Sequence, residues 1–287
     1  MNTLKTWMLM TILTVFIVLI GTLFGRNGAT LALIVAVAMN GFSYFFSDQV
    51  ALAMSGAKPV TEREAPTLYA AIRHLSTRAG LPMPRVFIAP SQQPNAFATG
   101  RNPKNAAVVV NQGLLDILTE RELTGVLAHE MSHIRHHDIL VATVAATLAG
   151  AITWLAHMLQ WGLYFGMGND RRNQNVFADL VVIILAPIAA AMIQMAISRS
   201  REYKADAGAA HLTRDPDALA DALAKLGHTS RFGTSNRSAY ETPSTAAAAF
   251  AHLYIVNPLR GQTLAGLFST HPPTEERIRR LRLMRIA

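Results

Sequence analysis

Four long runs of apolar residues without charge punctuate this chain. They hold 20 residues between Lys5 and Arg26, 21 between Arg26 and Asp48, 31 between Asp138 and Asp170, and 19 between Asp179 and Arg199. At ~1.5 Å of helical rise per residue, each is long enough to cross a hydrocarbon core ~30 Å thick. The pattern predicts transmembrane helices over residues 6–25, 29–47, 139–165 and 177–198. A cleaved signal peptide is the alternative for the first, but its apolar part outruns the usual length and no A-x-A cleavage pattern follows. A buried helical hairpin is the alternative for the last two, because His157, Gln160, Pro187 and Gln194 are costly in lipid.

The two stretches between and after these runs, 48–138 and 199–287, change pattern. Leu68, Ile72 and Leu75 share one helical stripe in a segment from Thr61 that Gly80 and the prolines at 82 and 84 end. Strands are predicted at 85–89, 95–100 and 106–111, with a tight loop at 101–105. Thr119 and Glu122 fit a capping box for a helix that turns Leu123, Val126 and Leu127 inward and reaches at least to His137. Weak periodicity from Gly227 to Ala249 predicts a mobile loop. Together the two stretches are long enough for one discontinuous domain with a real core. The fold class expected is an α+β membrane protein, with four transmembrane helices and a mainly helical domain carrying a small β-sheet. Residues 48–138 form its first part and 199–287 its second.

Composition agrees with a membrane protein: 51% of the 287 residues are hydrophobic and 15% charged, too greasy for an ordinary soluble domain. The 26 Lys and Arg against 18 Asp and Glu could in principle serve nucleic acid, an anionic membrane or topology. Their placement favours topology and leaves nucleic acid out. Four crossings put the N-terminus and both soluble stretches on one side. Near the span ends that side carries Lys5, Lys58, Arg63, Arg199, Arg201 and Lys204 against Arg26, Arg171 and Arg172 on the other, which predicts a cytoplasmic domain. With no cysteine, disulfides, thiolate metal sites and cysteine nucleophiles are excluded.

The candidate chemistry lies in His129-Glu130-Met131-Ser132-His133. Residues four apart share a helical face, so two imidazoles can meet one zinc ion with Glu130 beside it as general base. With 10 His in the chain, chance predicts about 0.01 such patterns. A catalytic zinc takes three protein ligands. His136 shares the stripe but sits about 10 Å along the axis from His129, too far for the same ion. The metzincin spacing is absent, since His136 and Ile139 stand where Gly and His are needed. Downstream, Glu202 and Asp206 lie four apart on one face. They read as a third ligand and as the acceptor for a ligand imidazole N–H. The spacing alone equally allows an ordinary charged helix.

Three blocks carry a family resemblance: PNAFATGRNPKNAAVVVNQGLLDILTERELTGVLAHEMSHIRHHD, SREYKADAGAA and LFSTHPPTEERIRRL. With the apolar runs they resemble the HtpX-type membrane zinc metalloproteases, distant relatives of the CAAX prenyl proteases. The resemblance covers most of the chain in family order. It implies a zincin-like catalytic domain with one zinc per chain on His129, His133 and Glu202. It further implies a bacterial inner-membrane enzyme acting from the cytoplasmic side on misfolded or damaged membrane proteins. Asn95 to Gly100 resembles the family's active-site edge strand, where an extended substrate adds as another strand. Asn95, Ala96 and Phe97 are the substrate-contact candidates, against a plain turn-forming role for Asn95. The resemblance tips His271 towards donating to the oxyanion, where a histidine before two prolines is otherwise structural. Arg277, Arg279, Arg280, Arg282 and Arg285 read as a solvated basic face that can touch anionic lipid.

If the zinc helix and the Glu202 helix continue out of the membrane, the metal sits within roughly 10 Å of the interface. Two other readings stand beside a broad protease: a narrow processing peptidase, and a zinc-bound membrane scaffold without turnover. An intact Glu130 weighs against the scaffold, which has no need of a general base.

Overall fold

Helices α1 (Asn2–Thr22) and α2 (Gly25–Met54) open the chain and pack side by side. The computed structural model describes residues 2–22, 25–145, 147–149, 199–232 and 272–285. Among these, α2 is the one helix long and apolar enough to cross a membrane; Thr6–Leu19 and Asp138–Ala149 are shorter apolar helices. Most of the third predicted span and all of the fourth lie outside the described residues.

The rest is mainly helical around one small sheet: β1 (Lys58–Pro59), α3 (Pro66–Ala79), β2 (Arg85–Ala89), β3 (Ala96–Gly100), β4 (Ala106–Asn111), α4 (Gln112–Ile117) and α5 (Glu120–Arg135). They are followed by α6 (Asp138–Ala149), α7 (Arg199–Thr213), α8 (Pro216–Phe232) and α9 (Thr274–Leu283). Strand order is β1-β2-β4-β3, with β2 parallel and β3 antiparallel to β4. The unbroken apolar run of β4 suits a strand covered on both faces. One face of the sheet meets Leu68, Ile72 and Leu75 of α3, Val126, Leu127 and Met131 of α5, and Leu219 and Leu223 of α8. On the other, Ala51 and Leu52 close over Phe87, Phe97 and Val109. Helix α2 therefore continues past residue 47, where the second span was expected to stop, and roots the sheet.

Three predicted boundaries move. Helix α3 begins at Pro66, not Thr61, because proline lacks an N–H and fits the first helical turn. Thr61 instead donates its N–H to Oε2 of Glu64 over 2.6 Å in a separate turn. Helix α5 carries the predicted Thr119–Glu122 capping box but ends at Arg135, because His137 takes a left-handed conformation with φ 58°. Residues Gly227 to Phe232, expected in a mobile loop, continue α8, whose Leu223 and Leu226 are buried in the core. The remainder of that loop lies outside the described residues.

Candidate metal centre

Helices α5 and α7 cross closely at Gly208, where a Cβ would fall 2.1 Å from the Ser132 Oγ. That approach brings Glu202, at the start of α7, over the two histidines of α5. The Nε2 atoms of His129 and His133 are 3.2 Å apart. Glu202 Oε2 lies 3.7 Å from the first and Oε1 3.6 Å from the second. Three ligands on a tetrahedral zinc, each about 2.0–2.1 Å from the ion, would sit about 3.3–3.4 Å from one another.

The far side of each imidazole argues that this is a cation site. Asp206 Oδ1 lies 3.0 Å from His129 Nδ1, and Asp138 Oδ2 lies 3.1 Å from His133 Nδ1. An ionised carboxylate only accepts, so each Nδ1 carries a proton and each Nε2 is aimed at the other and at Glu202, where a metal would replace any proton between them. Positive charge is what such a set of donors takes. Burial opposes a charge on His133, but the bond to Asp138 and the carboxylates of Glu202 and Glu130 outweigh it and lift its pKa to about 9. The residues fit a divalent metal, and zinc suits two imidazoles and a carboxylate.

Beyond the ligands, Arg277 of α9 departs from the solvated face predicted for it. It is 1% exposed and grips Asp206 with Nε at 2.9 Å and Nη2 at 2.6 Å. Its Nη1 stands 3.7 Å from Glu202 Oε2. Burial works to raise the Asp206 carboxyl, and Arg277 overrides it, holding the pKa down at about 2. The basic residues around it are indeed at the surface: Arg279 and Arg280 pair with Glu276, and Arg282 with Asp217 and Asp221. His136 is turned away from the cluster, with Nδ1 3.3 Å from Ser132 Oγ.

Glu130 is buried beside the ligands, and its Oε2 accepts the Ala98 N–H over 2.8 Å. Burial pushes its carboxyl up, partly offset by His129, His133 and that N–H. Ala98 belongs to β3, an edge strand whose other side pairs with β4. In an antiparallel pair the backbone groups of alternate residues turn outward. Asn111 donates its N–H to the Asn95 carbonyl, so Asn95 and Phe97 direct their backbone to β4 while Ala96, Ala98 and Gly100 direct theirs to the edge. Of the three substrate-contact candidates, Ala96 has edge-facing backbone. Asn95 is 1% exposed, and Phe97 packs under α2. His271 lies outside the described residues. Asp138, Arg277 and the Ala98 amide were missed from the sequence. An Asp five residues after the second histidine is a signal for the first, and a backbone amide leaves none.

A model described as Peptidase family M48 matches residues 62–285. A protein named Protease HtpX homolog from Pelotomaculum thermopropionicum is 49% identical over 290 residues, covering 100% of both chains. One of the same name from Desulfatibacillum aliphaticivorans is 52% identical, covering 98% of this chain and 89% of its own. Another, from Polynucleobacter necessarius, is 52% identical over 98% of this chain and 95% of its own. Among solved structures, the crystal structure of S. mikatae Ste24p matches with a TM-score of 0.52 at 19% identity. It covers 93% of this chain, which spans 62% of that one, and the likeness is one of fold.

Proposed function

The chain belongs to peptidase family M48, and from that premise we propose that it is an integral-membrane zinc endopeptidase that cuts misfolded or damaged membrane proteins at the cytoplasmic face of a bacterial inner membrane. The observation that carries this reading is the meeting of His129, His133 and Glu202, whose ligand atoms all lie within 4.8 Å of one another, with Glu130 alongside. Bound there, zinc supplies a Lewis acid that polarises a carbonyl and acidifies water. His129, His133 and Glu202 hold it, and Asp206 and Asp138 orient the two imidazoles.

Glu130 takes the proton from the attacking water and returns it to the departing amine nitrogen. A raised pKa suits that exchange, because the carboxyl must both accept and give a proton near neutral pH. The Ala98 N–H fixes Oε2 and leaves Oε1 to face the reacting atoms. An extended substrate adds along β3 through main-chain hydrogen bonds, which read backbone more than side chains and suit unfolded segments.

Apolar α1, α2 and α6, the uncharged runs at 150–169 and 180–198, and the basic residues flanking the domain support the multi-pass placement and the cytoplasmic orientation. The test is cleavage of an unfolded model protein by the full chain in lipid nanodiscs, with and without chelator, beside Glu130→Gln. Zinc-dependent cleavage that disappears in the variant, with one zinc retained per chain, is the expected result. Turnover in Glu130→Gln sinks the assigned role. Zinc bound without cleavage of any unfolded protein favours the narrow processing peptidase and the zinc-bound scaffold together.

A further inference from the structure

We propose that Asp138 is a positioning residue for His133, and that through it the apolar helix α6 sets the geometry of the metal centre. This rests on the metal-site reading above.

In an unbroken helix, residues 133 and 138 would point about 140° apart around the axis and could not meet. They meet because α5 stops at Arg135 and His137 turns left-handed, so that α6 starts afresh with Asp138 as its first residue. The bond from His133 Nδ1 to Asp138 Oδ2, 3.1 Å long, thus spans a joint between two helices. Asp138 is 6% exposed, so water does not readily substitute for it. Arg201 of α7 stands behind, its Nε 4.0 Å from Asp138 Oδ1.

The two ligand histidines therefore lean on carboxylates of different helices. His129 leans on Asp206 of α7, itself locked by Arg277 inside the helical domain. His133 leans on α6, whose Leu140, Val141, Val144, Ala145 and Leu148 pack against Leu9, Met10 and Leu13 of α1. The same helix touches the active site a second time. Thr143 Oγ1 is 3.2 Å from Thr99 Oγ1 in β3, next to Ala98, whose amide holds Glu130. A shift of α6 against α1 thus acts on His133 directly and on Glu130 through the edge strand, while His129 stays in place. The packing of the apolar helices becomes part of the metal site.

The test measures zinc affinity by chelator competition on the full chain in nanodiscs, for wild type, Asp138→Ala, Asp138→Asn, Val144→Ala and the Val144→Ala/Asp138→Ala double variant. Loss of a carboxylate behind a ligand histidine weakens metal binding by about 10–100-fold. That drop is expected for Asp138→Ala, with a smaller one for Asp138→Asn, whose amide oxygen still accepts. Val144→Ala loosens α6 on α1 and should weaken zinc several-fold in the wild type, yet leave Asp138→Ala unchanged, because the link is already cut. Circular dichroism and the metal-free melting temperature check folding. Should Asp138→Ala fail to fold, Asp138→Asn replaces it in the comparison, and wild-type affinity there overturns the proposal. Asp138→Ala within threefold of wild type overturns it, as do independent, multiplying effects of Val144→Ala and Asp138→Ala. A wild type that binds no zinc overturns the metal-site reading itself, a distinct result.

Discussion

The amide of Ala98, at the middle of the edge strand β3, donates to Oε2 of Glu130 across 2.8 Å and joins that edge of the sheet to the acid residue of the histidine helix. One contact does two things. It aims the carboxylate, and it makes the position of Glu130 depend on the strand against which a polypeptide would lie.

Ala98→Pro removes this single N–H while leaving the ladder to β4 intact, because that amide faces the edge, where proline is tolerated. A hydrogen bond to a charged group is worth about 1.5–3 kcal/mol. At about 1.4 kcal/mol per factor of ten, kcat should fall roughly 10–100-fold with zinc content unchanged. Steady-state kinetics beside metal analysis checks this; a variant that keeps full kcat shows that the amide does not orient Glu130.

Arg277 is buried against Asp206 and within reach of Glu202. Removing one partner of a buried ion pair leaves an uncompensated charge, at a cost of about 3–5 kcal/mol. Arg277→Met should lower the melting temperature and weaken zinc binding. Arg277→Lys should recover part of both, since an ammonium restores the charge and loses the two-pronged grip. Thermal unfolding with and without zinc measures both effects, and wild-type behaviour in Arg277→Met refutes the clamp.

Gly208→Ala places a Cβ 2.1 Å from Ser132 Oγ and 2.9 Å from its Cβ, so α7 must move off α5. Overpacking of this kind costs about 1–3 kcal/mol. Because Glu202 rides on the same helix, zinc affinity should fall along with stability. Adding Ser132→Ala removes the nearer clash and should restore part of each. If the double variant is no better than Gly208→Ala, the helix approach is not what places Glu202.

Acidity should compete with the metal through His133, whose pKa is lifted to about 9 in the metal-free chain. Zinc must displace that proton, so its apparent affinity should rise about tenfold per pH unit between pH 7 and 9 and level off above. The sign for stability runs the other way. A raised folded-state pKa stabilises the metal-free chain fully below the unfolded value near 6.5, and that stability is lost as pH climbs through 9. Chelator competition and chelated melting curves across this range test the pair of trends; an affinity independent of pH refutes the proton's place at the site.

Much of the site was legible from local pattern. His129 and His133 share a face because they are four apart on a helix whose start Thr119 and Glu122 mark, and Glu202 and Asp206 repeat that spacing. The strands announced themselves in the same way, through β-branched runs bounded by turn residues. Such features depend on helical and strand periodicities, which any short stretch of sequence displays.

Long-range encounters were a different matter. In sequence Arg277 is one arginine of a basic run, and α9 drives it against Asp206, 71 residues earlier. In sequence Asp138 is the last charge before an apolar run, and the left-handed turn at His137 swings it back to His133. The Ala98 amide meets Glu130 because β3 lies along α5. The sequence by itself determined the family resemblance, the apolar segments, the principal helices and strands, and the residues able to grip a metal, because each is written in the order and spacing of residues along contiguous stretches of chain. Tertiary structure alone decided which charges stand behind those residues, because burial and pairing between distant helices depend on how the chain packs.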